Sequence, residues 1–123
     1  MTVIDSSSAP TFEQPGTFVT GLAAPSRGSR EISAWRLRLD PGAASPEHTL
    51  TREEVFIALS GRLVATLSGV RHDVAAGDAL VVAAGEPVVL RNEGDEPFEA
   101  VACMRCGGLA RVGDESFPPP WAE

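Results

Sequence analysis

His48 and Glu54 stand six positions apart in the stretch PGAASPEHTLTREEVFIALSG, residues 41–61. They are the two kinds of side chain most used to move protons or to hold a transition metal. A histidine titrates near neutrality, and burial can bring a carboxyl group into the same range. On an extended strand His48 and Leu50 point to the same side, and pairing with neighbouring strands would bring Glu54 into the same interior. The Glu54 carboxyl is then expected to titrate above its usual range through desolvation, offset where it pairs with His48. Such a pair suits isomerisation, epimerisation, dehydration or cyclisation of a small substrate, which makes His48 and Glu54 the candidate catalytic residues. Two quieter roles stay open for them: hydrogen-bonding a ligand that does not react, and tying two strands together. Glu53 is expected to be the outward, solvated neighbour of Glu54.

The elements that must position these residues are short strands. ISAWRLRLD (residues 32–40) alternates Trp35, Leu37 and Leu39 with Arg36 and Arg38, the pattern of a half-buried strand with a solvated arginine face. TFVTGL, EEVFIALSG, RLVATLSG, ALVVAAG, EPVVLRN, FEAVACMRC and LARVG are further β-like pieces, separated by glycine, proline and acidic turns. No segment sustains a 3.6-residue apolar period. About eight such strands predict an all-β sandwich or barrel. Residues 1–16, rich in serine and proline, read as a flexible N-terminal arm, and residues 17–123 as one domain. The proline-rich FPPPWAE is expected to form neither a helix nor a central strand.

The spacing adds a second layer. Gly42-x5-His48-x-Leu50-x3-Glu54-x6-Gly61 is followed by Gly77-Asp78, then Ala83-x-Gly85-x2-Val88-x3-Asn92. This resembles the paired motifs of the cupin superfamily, G-x5-H-x-H-x3-E-x6-G and G-x5-P-x-G-x2-H-x3-N. The resemblance implies a double-stranded β-helix, the jelly-roll cupin barrel, in a small single-domain member. It also implies a homodimer. In that family three histidines and a glutamate hold a metal. Here only His48 and Glu54 occupy their places, with Leu50 and Val88 standing where the other two histidines would be. Two donors and an apolar surround hold a hydrated cation poorly. No tightly bound cofactor or metal is therefore expected, and any divalent cation would sit weakly on His48 and Glu54. Trp35, Leu50, Phe56, Val88 and Leu90 are the candidate ligand-binding residues lining the barrel.

Other residues bound the reading. With a net charge of −7, nucleic acid and anionic membrane surfaces are excluded as partners. The absence of a long apolar run and of a basic leader gives a cytoplasmic expectation. Cys103 and Cys106 form a C-x-x-C at a strand end, with no second ligand pair for zinc and no helix N-terminus for redox work, and are expected as reduced, structural thiols. His72 reads as a surface or edge histidine. Trp121, in the proline-rich tail, needs a surface to bury on. Three functions follow: a barrel that binds a small molecule without a tightly held metal, an isomerase, cyclase or lyase using Glu54 and His48, and a metal-dependent, dioxygenase-like enzyme with a reduced ligand set.

Overall fold

Short alternating segments punctuated by glycine can bury one face only by pairing with one another and closing around it. The computed structural model describes residues 2–123. In chain order its strands are β1 (Thr11–Gln14), β2 (Thr17–Ala23), β3 (Ile32–Leu39), β4 (Thr49–Leu50), β5 (Glu54–Ser60), β6 (Arg62–Leu67), β7 (Val70–Ala75), β8 (Ala79–Val82), β9 (Val88–Arg91), β10 (Phe98–Arg105), β11 (Ala110–Val112) and β12 (Glu115–Phe117). The rest is turns, loops and three 3-10 turns, and among the described residues no helix is long and apolar enough to cross a membrane.

The strands build a jelly-roll β-barrel. One wall is a six-stranded sheet in the order β1-β2-β3-β10-β5-β8. The other is made of β7-β6-β9 and β12-β11-β4. These two pieces are joined where the segment before β4 bridges β9, at Ala44–Arg91 and His48–Val88. Inward residues of both walls form one core, which includes Leu63 and Ala65 of β6 and Phe98, Ala100 and Ala102 of β10. β3 alternates as its sequence requires, burying Trp35, Leu37 and Leu39 and turning Arg36 and Arg38 to solvent. Arg36 pairs there with Glu99 and Arg38 with Asp40.

Several motif residues are scaffold. Gly61 makes the β5–β6 corner with φ 78°, and a Cβ there would meet the Pro97 carbonyl oxygen. Asn92 is fully buried. Its side chain donates to the carbonyls of Leu39 (3.0 Å) and Glu96 (2.8 Å) and accepts from Gly94 N–H (2.9 Å), so one amide fastens β3 to the β9–β10 connection. Asp78 Oδ2 accepts from Ala75 N–H at 2.9 Å, closing the β7–β8 turn.

Both chain ends are tied to the barrel. Residues 11–14, assigned to the arm by composition, form β1 and pair with β2 from Thr11–Thr20 to Gln14–Thr17. Upstream, the Arg27 guanidinium donates to the carbonyls of Ser8 (2.7 Å) and Asp5 (3.0 Å). Composition hides this, because a four-residue strand has too few positions to show a period and the arginine lies far along the chain. At the other end Pro120–Ala122 is a 3-10 turn. Ser33 Oγ donates to the Ala122 carbonyl (2.8 Å), and Ser26 N–H to that of Glu123 (3.2 Å). Trp121 docks on its own barrel, with its ring 6.0 Å from Phe12 and 6.3 Å from Trp35.

The outer face of the six-stranded sheet is apolar near β8. Val55 lies opposite Val81 on one side and Cys103 on the other, and Ile57 lies opposite Val101. Ile57, Leu59 and Val81 are each at least two-fifths exposed. His72 is an exposed residue of the edge strand β7. Cys103 and Cys106 are free thiols, the latter 3.5 Å from Ser33 Oγ.

Candidate functional site

β5 begins at Glu54, which pairs with Met104 of β10 and Val82 of β8, so its side chain enters the barrel between two central strands. There it shares a cavity of about 180 Å³ with His48 and Leu50. Trp35, Phe56 and Leu90 also line this cavity, as do Leu37 and Leu39 of β3. Val88 does not. It is fully buried in the core and meets His48 only through the backbone bridge. The reason is local: His48 and Val88 exchange both backbone hydrogen bonds (2.9 and 3.1 Å), and Leu90, two residues on, reaches the cavity wall instead.

Glu54 is 5% exposed. Its Oε1 is buried without a hydrogen-bond partner in the protein. Burial in these apolar surroundings pushes its carboxyl up from 4.5 to about 8, so the group is a neutral acid at pH 7. Among the described residues no ion pair joins it to His48. The sequence-based offset by pairing is therefore absent, and desolvation acts unopposed. His48 is held separately. Its Nδ1 lies 2.9 Å from the Pro46 carbonyl, which can only accept, so Nδ1 carries a proton and, in the neutral form of the ring, Nε2 is the acceptor. The cavity thus offers a carboxylic acid that can donate and accept and, from a different strand, an imidazole acceptor.

The residues do not fit a transition-metal centre. Among the described residues no three His, Cys, Asp or Glu side chains gather. Leu50 fills the position beside His48 with four carbons, and Val88 is outside the cavity. A second groove, of about 300 Å³, lies against β6 and β7. Its Arg71 is already bound to Glu93 (3.0 Å) and Asp73 (3.4 Å), which leaves it little charge to offer a ligand. Glu53, Arg36 and Arg38 face solvent, away from the cavity.

The tail supplies walls that the spacing argument did not assign. Phe117, Pro119 and Trp121 line the cavity, together with Ala110 and Val112 of β11 and Gln14 of β1. Trp121 Nε1 is also buried without a partner in the protein. The one signal for this was a tryptophan standing among prolines, which called for a surface without saying which.

Comparison with known proteins fits this geometry. A family model described as a cupin domain matches residues 35–104, more than half of the chain. The polyketide cyclase RemF from Streptomyces resistomycificus superposes with a TM-score of 0.78 at 18% identity, covering 98% of this chain and 88% of that one. A cupin-superfamily sugar phosphate isomerase from Silicibacter pomeroyi gives 0.74 at 20% identity, covering 91% and 82%. An RmlC-like cupin from Shewanella frigidimarina gives 0.71 at 15%, covering 84% and 88%. At these identities the likeness is one of fold. No curated protein matches the sequence. The matched family model, the jelly-roll barrel and the register of Gly42, His48, Glu54, Gly61, Gly85 and Asn92 together show that the chain belongs to the cupin family.

Proposed function

We propose that the barrel binds a small, largely apolar molecule carrying a hydrogen-bonding oxygen, with Glu54 as its polar anchor and without a tightly bound metal. The observation that carries this is the Glu54 carboxyl, which is 5% exposed, has an oxygen lacking any partner in the protein, and belongs to a largely apolar cavity. A buried polar group left unpaired costs about 1–3 kcal/mol, which a ligand oxygen would recover. Trp35, Leu50, Phe56 and Leu90 supply the apolar contact, and His48 Nε2 a second polar one. The test is a thermal-shift screen of small organic molecules, with and without chelator, on the wild type and on Glu54→Leu. The reading expects a stabilising ligand whose effect survives the chelator and is lost in Glu54→Leu. A screen in which only metals raise the melting temperature would overturn it.

A second reading, proton-transfer chemistry of the isomerase, cyclase or lyase type, is favoured by one observation. A carboxyl brought to about 8 is matched to acid–base work near neutral pH. In this reading Glu54 gives its proton to the substrate, His48 Nε2 accepts one, and the apolar walls around Glu54 shield it from water. The structural likeness to a polyketide cyclase and a sugar phosphate isomerase is in keeping with it. Glu54→Gln would then abolish turnover while leaving ligand binding, and wild-type turnover would fall as the pH passes 8. Turnover retained in Glu54→Gln excludes it. The metal-dependent, dioxygenase-like reading finds no support in the donor set, although two dioxygenase structures from Pseudoaminobacter salicylatoxidans share the fold.

A further inference from the structure

Two buried side-chain polar atoms lack a hydrogen-bond partner among the described residues, Glu54 Oε1 and Trp121 Nε1, and both belong to residues that line the same cavity. Such atoms are uncommon in folded proteins, and each calls for a reason. We propose that the Trp121 indole N–H is a specificity-determining donor to the ligand, and that the ligand is a neutral, single-ring aromatic molecule with two oxygen functions, one met by Trp121 and one by Glu54. This rests on the binding role proposed above for the cavity and adds what the cavity selects.

The chemistry of the two groups sets the complement. An indole N–H only donates, so it needs an acceptor such as a carbonyl or ether oxygen. A neutral carboxyl donates through its hydroxyl and accepts through its carbonyl, so it takes a hydroxyl or a carbonyl equally well. Size sets the rest. An apolar cavity of about 150 Å³ accommodates benzene, and this one, at about 180 Å³, accommodates one ring with a few substituent atoms. Trp35, Phe56, Phe117 and Trp121 all line it, and aromatic walls favour a flat ring in offset or edge contact. Neutrality follows from the apolar surround, which penalises an unpaired charge.

Trp121 is fixed in place. The Ala122 carbonyl is held by Ser33 Oγ, which is itself fully buried, and that of Glu123 by the backbone N–H of Ser26. Phe12 and Trp35 contact the ring at centroid distances of 6.0 and 6.3 Å. A donor held this firmly can discriminate between ligands that differ by a single oxygen.

The test is calorimetric titration of wild type and Trp121→Phe with para-hydroxyacetophenone, which has one ring and two oxygens, and with toluene, which has the ring alone. Removing the N–H while keeping an aromatic ring is expected to weaken para-hydroxyacetophenone about tenfold and to leave toluene within about twofold. Equal losses for both ligands, or none, overturn the proposal, as does a wild type that binds toluene and not para-hydroxyacetophenone. A wild type that binds neither ligand overturns this inference, while the cavity-binding reading is decided separately by the thermal-shift screen. A measurement on the wild type alone guards against a variant that folds poorly. The indole N–H resonance of Trp121 should move downfield on saturation with para-hydroxyacetophenone and not with toluene, and an unmoved resonance refutes the donor role.

Discussion

Titrating Glu54 through the stability of the fold is the sharpest test of the site. The folded-state carboxyl binds its proton more tightly than the unfolded one, with a rise from 4.5 to about 8 caused by desolvation. Between these values the unfolded chain has released the proton and the folded chain has kept it. Stability is therefore fully present below pH 4.5 and falls as the pH rises, by about 1.4 kcal/mol per pH unit, until the folded carboxyl ionises near pH 8. The accumulated loss is roughly 5 kcal/mol, a large part of the 5–15 kcal/mol that holds a domain of this size together. Glu54→Gln keeps the shape and cannot ionise, so the difference between the two proteins isolates this one group from the other titrating carboxyls. Urea unfolding of both from pH 5 to pH 9 is the assay. The wild type should lose several kcal/mol relative to Glu54→Gln across that range. A difference that stays flat would mean that the carboxyl is solvated or paired, and the reasoning about a neutral buried acid would fall with it.

Three further outcomes follow from the same geometry. After incubation with manganese, iron, nickel, copper or zinc and desalting, mass spectrometry should find well under one equivalent of metal; one equivalent in the wild type that disappears in His48→Ala would contradict the donor-set argument. Gly61→Ala should destabilise the fold by about 2 kcal/mol or more in thermal melts, because φ is 78° and the new Cβ would meet the Pro97 carbonyl; a change under about 0.5 kcal/mol would show that the corner relaxes freely. The apolar outer face around Val55, Ile57 and Val81 is proposed as the contact of a homodimer, so light scattering should return twice the chain mass, and Ile57→Asp a monomer. A monomeric wild type would remove that proposal.

The barrel was legible because its spacing and its alternation agree. The offsets from Gly42 to Asn92 fall on corners and ties that the barrel needs, such as Gly61 at the β5–β6 turn and Asn92 across to the Leu39 carbonyl. β3 announces its two faces by simple alternation. The site was legible in its centre, where His48, Leu50 and Glu54 were placed in one interior and the structure puts them around one cavity. Its periphery was not. Local period says which side of a strand faces in, but not which inward residues surround a void and which close against the core. That is why Val88 was set on the cavity wall when the core encloses it. The contribution of the tail was hidden for another reason: Trp121 reaches Trp35 across more than eighty residues of chain, and no local pattern encodes such a contact.

Leu50 has a consequence for how this barrel can change over generations. Its backbone is fixed by neighbours indifferent to its side chain: it pairs with Ala110, and its carbonyl accepts from Gly85 N–H at 2.8 Å. The side chain alone meets the cavity, beside His48 and Glu54. A substitution at this position can thus alter the chemistry of the interior while the strand pairing stands, and a leucine codon ending in a pyrimidine lies one nucleotide from histidine. The same route runs backwards. Repertoire in such a scaffold is held at a few uncoupled interior positions, and lineages can pass between greasy receptor and polar reaction vessel in single steps, with the architecture carried along unchanged.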